Sequence, residues 1–184
     1  MLVLSLVPCG DGGGGIVEIV NHFLGIDVSK EFFDAVVILN NDKTNAIHSQ
    51  FINNKKGLKE MVGCLKTKGA NAKNTLVCLE HTGMYGKNIL RYLFTNGFSI
   101  WLEMSFRIIR SLGVQRGKND KVDANRIAYY AMKNQEDVKI YKPPREVVDK
   151  VRNLLSLREQ LTRFRSSVTN ATKELQGFDS KMSD

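Results

Sequence analysis

Apolar positions first follow a strand-like rhythm and later a helical one. The stretch "HFLGIDVSKEFFDAVVILNN" carries two β-like runs, 23–28 and 32–39. The link between them is too short for a helix, which predicts an antiparallel hairpin. Asn40, Asn41, Asp42 and Lys43 supply turn chemistry. "AIHSQFIN" then alternates apolar and polar residues and reads as a third, half-exposed strand. Asn53 and Asn54 offer an N-cap to a helix whose Leu58, Met61, Val62 and Leu65 share one face. "TLVCLEHTG" is almost continuously apolar, as a buried central strand is, and ends at Glu80. "MYGKNILRYLFTNG" predicts a helix closed by Gly97, and "FSIWLEM" a fifth strand. "SFRIIRSLGVQRG" reads as a short basic segment with a helical start. "DKVDANRIAYYAMKN" predicts an amphipathic helix with Val122, Ile127, Ala128 and Ala131 facing inward.

Pro143 and Pro144 interrupt this pattern, and from Arg145 on the period changes. Leu154, Leu157, Leu161, Phe164, Val168, Ala171 and Leu175 recur at alternating intervals of three and four, ringed by Arg152, Arg158, Arg163 and Arg165. Such a heptad seam predicts a long coiled-coil helix, with 147–175 as the contact between copies of the chain or with a later segment of the full protein. The alternative is one amphipathic helix packed on the preceding domain. At the other end, "MLVLSLVPCGDGGGG" lacks the basic residue that opens a signal peptide and reads as a disordered leader. The expected organisation is a leader over 1–20, a domain over 21–142, and a coiled-coil helix with its tail over 143–184. Within the domain, an antiparallel meander is followed by strands separated by helices, and right-handed crossovers make those strands parallel. The expected fold is therefore α/β: a ribonuclease-H-like, five-stranded mixed sheet with flanking helices.

Composition changes this picture in one respect. Among 184 residues, 27 are Lys or Arg and 19 Asp or Glu, a net charge of +8. That balance points to a polyanionic partner, nucleic acid before membrane, although solubility alone also accounts for it. The three cysteines show no paired spacing, so neither a disulfide framework nor a zinc ribbon is expected. Cys78, inside an apolar strand, reads as core, and the set fits a reducing cytoplasm. No apolar run approaches the roughly 20 residues of a membrane span. The Gly-rich "CGDGGGG" lacks the lysine ending of a phosphate loop.

Against the basic background, four acids stand out. Asp27 is a lone carboxylate in an apolar strand, costly to bury unless paired or bound to a cation; a solvent-facing strand edge is an equal reading of it alone. Glu80 ends the other strongly apolar strand. The expected topology makes the two strands neighbours, so the carboxylates can face each other and repel unless a cation bridges them. Asp120 and Asp123, three apart on a helix, place their Cβ atoms about 5–6 Å apart on one face. A favourable helix start explains Asp120 equally well. Together, Asp27, Glu80, Asp120 and Asp123 form an oxygen-only set suited to Mg²⁺ or Mn²⁺. Two such ions about 3.5–4 Å apart would serve attack on a phosphodiester.

Arg107, Arg110, Arg116, Lys118 and Lys121 lie just before or within this last pair and read as a phosphate-contacting strip, or as a solvated basic face. Lys30 could also reach a phosphate. His81 alternates away from Glu80 and reads as packing or surface. His22 and His48 show no ligand-like neighbours, and Trp101 and Tyr85 read as core anchors.

In order and spacing, "GIDVSK", "LEHTGMYG" and "KNDKVDANRIA" resemble the DEDD-type insertion-sequence transposases, relatives of the Piv-type DNA invertases with a nuclease domain like the resolvase RuvC. The resemblance covers about residues 23–135, and the following helix is similar to that family's coiled-coil region. It implies that Asp27, Glu80, Asp120 and Asp123 are the acidic tetrad of a Mg²⁺-dependent enzyme of DNA strand cleavage and exchange. It also implies DNA and a structured guide RNA as partners. Family members continue into a second domain with a nucleophilic serine; no residue here matches it, which predicts a chain cut short before that domain. Two other functions stay open: a structure-selective nuclease acting on branched DNA, and a catalytically silent nucleic-acid-binding fragment that dimerises.

Overall fold

The computed structural model describes residues 20–81, 83–112 and 120–182; the side chains of Leu112, Asp120, Lys121 and those beyond 176 are not described. The predicted leader, apart from Val20, lies outside these residues, as do Arg116 and Lys118. The chain divides after Tyr141 into two compact units.

The first unit holds five strands: β1 (His22–Val28), β2 (Phe32–Ile38), β3 (Ala46–Ile52), β4 (Thr75–Glu80) and β5 (Ser99–Glu103). Their order across the sheet is β3-β2-β1-β4-β5. β1 pairs antiparallel with β2 and parallel with β4; β2 pairs antiparallel with β3, and β4 parallel with β5. This is the ribonuclease-H-like mixed sheet that the element order predicts. At the β2–β3 turn, Asn40 and Asn41 both adopt positive φ, 53° and 57°, a conformation in which asparagine is favoured among non-glycine residues.

Strand alternation sends apolar residues to both faces, and helices cover each. Leu24, Ile26, Val28, Val77 and Leu79 pack with Leu58, Met61 and Leu65 of α1 (Lys55–Thr67) and with Ile89 and Leu93 of α2 (Lys87–Thr95). Asn54 caps α1, its side chain accepting the Lys56 and Gly57 N–H groups at 2.9 and 3.0 Å. The sequence pattern extends α2 back to Met84, but 84–86 form a turn and the helix starts at Lys87.

On the opposite face, Phe23, Val36, Cys78 and Trp101 pack against Ala124, Ile127, Ala128 and Ala131 of α4 (Asp120–Lys133). The sequence reading put Val122 inward; it is exposed, and Ala124 takes the buried place. The cause lies at Gly25 on the central strand. A Cβ there would stand 2.2 Å from the Ala128 nitrogen and 2.4 Å from the Ala124 oxygen. The α4 backbone rests directly on β1, so its contact face must be small: Ala124, Ala128 and Ala131 at helical spacing. A short helix, α3 (Ser105–Leu112), links β5 toward α4 and contributes Ile108 to this core.

In the second unit, α5 (Glu146–Met182) runs for 37 residues without a break. Leu154, Leu157, Leu161, Phe164, Val168 and Leu175 along its seam are all exposed. Among the described residues, no helix is long and apolar enough to cross a membrane.

Candidate active site

The carboxyl ends of the central strands carry the acids. Asp27 is paired in register with Asp34 of β2, which is level with Gln50 of β3. One step beyond the Ile26–Leu79 pair sets Asp27 level with Glu80, and Glu80 is in register with Glu103 of β5. Residues level across paired strands point to the same face. Gln50, Asp34, Asp27, Glu80 and Glu103 therefore form one transverse row, with four carboxylates on four adjacent strands. The row lies on the face that α4 covers.

Asp27 and Glu80 are half-buried. Glu80 accepts a hydrogen bond from the hydroxyl of Ser105, the first residue of α3. Asp123 is half-buried on α4 and accepts from Arg126 Nη1 at 2.8 Å. Asp120 begins the same helix, with its side chain outside the described set. Among the described residues, no three Asp, Glu, His or Cys side chains converge closely enough to hold an ion. The donors toward this end are nonetheless carboxylate oxygens, the chemistry that Mg²⁺ or Mn²⁺ takes.

Two members of the row were missed in the sequence, and both are more buried than Asp27 or Glu80. Asp34 is only 6% exposed. His48 Nε2 lies 2.6 Å from its Oδ1, and Gln50 Nε2 donates to Oδ2 at 3.2 Å. His48, read as having no ligand-like neighbour, is thus the partner of a buried acid. Glu103, also 6% exposed, accepts the Met104 N–H at 2.8 Å and the Tyr130 hydroxyl at 3.2 Å. Burial, reinforced by the Glu103 carboxylate, pushes the Tyr130 phenol up to about 12, so it stays protonated and donating. Glu103 thereby ties β5 to α4, the helix that bears Asp123. The signal that could have found both acids is the one that singled out Asp27: a lone carboxylate in an apolar strand.

Among the predicted phosphate contacts, Lys30 and Arg110 are exposed. Arg107 is exposed as well, but its Nε sits 3.8 Å from Glu103 Oε1, so part of its charge is engaged within the fold. Arg116, Lys118 and the Lys121 side chain fall outside the described residues. Trp101 is buried as a core anchor, whereas Tyr85 is exposed, displaced to the surface by the turn that precedes α2.

Comparison with known proteins adds to this geometry. A family model described as a transposase, the DEDD type named for IS110, matches residues 24–176. The pilin gene-inverting proteins of Moraxella bovis and Moraxella lacunata are each 29% identical over 140 residues, 74% of this chain and 42% of the relative. The chain thus spans less than half the length of these curated relatives. The solved structure of T. thermophilus RuvC in complex with a Holliday junction substrate aligns over 65% of this chain and 99% of that one, at 15% identity and a TM-score of 0.40.

Proposed function

Because the chain belongs to the IS110-type DEDD transposase family, we propose that its sheet domain performs metal-dependent DNA strand cleavage within a recombination reaction. The observation that carries this reading is the level placement of Asp27 and Glu80 on adjacent strands, under the helix that bears Asp120 and Asp123. Asp27, Glu80, Asp120 and Asp123 would hold the ions. Divalent cations bound there supply the positive charge that a phosphodiester needs while it is attacked. Ser105 orients the Glu80 carboxylate through its hydroxyl. Lys30, Arg107, Arg110, Arg116, Lys118 and Lys121 would neutralise the DNA backbone without reading sequence. The names of the two Moraxella relatives support a recombination setting, and strand exchange by the whole protein belongs to the same proposal.

The test is incubation of the chain with end-labelled branched and linear DNA in Mn²⁺ or Mg²⁺, against EDTA. Cation-dependent scission supports the reading. Binding without scission under every condition leaves a nucleic-acid-binding module.

We also propose that α5 pairs with a second copy of the chain along its exposed seam. Leu161→Asp with Phe164→Asp places charge at two successive seam positions. Sedimentation analysis is expected to show an oligomer for the parent and a monomer for the double variant. A parent that is monomeric at micromolar concentration excludes the seam as a self-contact.

A further inference from the structure

The outer face of α3 combines exposed apolar and basic side chains beside the carboxylate row. Phe106 is 60% exposed and Ile109 57% exposed, three residues apart and so neighbours on one face. Met104, just before the helix, is exposed too. The same helix carries Arg107 and Arg110 and no acid at all. A single exposed apolar side chain needs no explanation, but two that neighbour each other beside guanidinium groups do.

We propose that this face of α3 is a stacking surface for unpaired bases of the DNA strand being cut. Duplex DNA presents phosphates on its outside and keeps its bases stacked on one another, so arginines alone would suit it. Phe106 and Ile109 gain a partner only if a base has left its stack, and aromatic side chains are the usual platform for such bases. The arginines then engage the neighbouring phosphates. An apolar protein surface would match Phe106 and Ile109 and offer no anion to Arg110, while Arg107 is already partly engaged by Glu103.

Position supports the same occupant. Ser105, the first residue of α3, touches Glu80, and Ile109 lies about 6 Å further along the helix axis. A strand whose phosphate meets the carboxylate row would lay its adjacent nucleotide on this face. The inference rests on the reading of the row as a strand-cleavage site, but binding to α3 needs no metal.

The test is fluorescence anisotropy in EDTA, with a labelled single-stranded DNA oligonucleotide and the matching duplex as probes. Phe106→Ala combined with Ile109→Ala is expected to weaken single-strand binding about tenfold and to leave duplex binding within about twofold. Arg110→Ala is expected to weaken both probes alike and to lower the salt slope by about one. Phe106→Trp should restore or strengthen single-strand binding. Binding is read in EDTA, where no cation-dependent cleavage takes place, so a failed cleavage site does not mask the result. The proposal is overturned if the double variant binds both probes as the parent does, loses both equally, or loses only a single-stranded RNA of the same sequence. A change in sedimentation with unchanged DNA binding would likewise overturn it, as the mark of a protein contact.

Discussion

Asp27→Asn is expected to abolish cation-dependent cleavage while leaving the protein folded. Asn keeps the shape of the side chain and removes its charge. Asp27 stands between Asp34 and Glu80 in the carboxylate row. The stability difference that reports on the site is the one that Mn²⁺ adds. A cation at 100 times its dissociation constant stabilises the parent by about 2.7 kcal/mol, and the variant should lose most of that gain. In cleavage, loss of one charged ligand should cost on the order of a thousandfold in rate, about 4 kcal/mol at 1.36 kcal/mol per decade. Asp123→Asn should act in the same direction, but it also frees Arg126 from its ion pair. Cleavage rates, calorimetric Mn²⁺ titration and thermal melts with and without metal check these expectations. A variant that binds Mn²⁺ as tightly as the parent would show that the row is not the cation site.

The sequence pattern exposed the sheet because a hairpin, a continuous apolar strand and helical spacing each leave a distinct periodicity. It exposed Asp27 for a related reason: one carboxylate among Ile26, Val28 and Leu24 conflicts with its surroundings. Asp34 poses the same conflict between Phe33 and Ala35, yet its place becomes evident only once the hairpin register sets it beside Asp27. Register depends on how the turn closes, and a shift of one residue would send Asp34 to the other face. Glu103 draws no notice within the strand "FSIWLEM" because the Tyr130 hydroxyl that satisfies it lies 27 residues away in the chain. His48 was passed over likewise: its partner sits on another strand, 14 residues away. The choice of Val122 over Ala124 followed hydrophobicity, which ranks valine higher. The structure selects for size instead, because the helix lies against a bare strand at Gly25.

That close approach underlies the second large effect, at Gly25→Ala. The added methyl would meet the Ala128 nitrogen at 2.2 Å and the Ala124 oxygen at 2.4 Å, distances that no Cβ tolerates. Both obstacles are helix backbone, which cannot turn aside as a side chain can. α4 must lift from β1, loosening the packing of Ile127 and Ala131 on Phe23 and Trp101. Overpacking of this kind costs about 3 kcal/mol, and for a unit of this size the melting temperature should fall by about 10 °C. Cleavage should fall further than the unfolded fraction explains, because α4 carries Asp120 and Asp123 and would move them away from Asp27 and Glu80. Gly63→Ala makes the same chemical change within α1, where the added methyl has nothing within 4 Å. There the only effect is on helix propensity, a gain of about 0.5–1 kcal/mol. Opposite shifts in melting temperature for the two variants, with cleavage lost only at Gly25, would show that the contact between bare strand and small-residue helix holds the acidic row together. Equal behaviour of the two would place α4 further from the sheet and remove the basis for bringing Asp123 to Asp27.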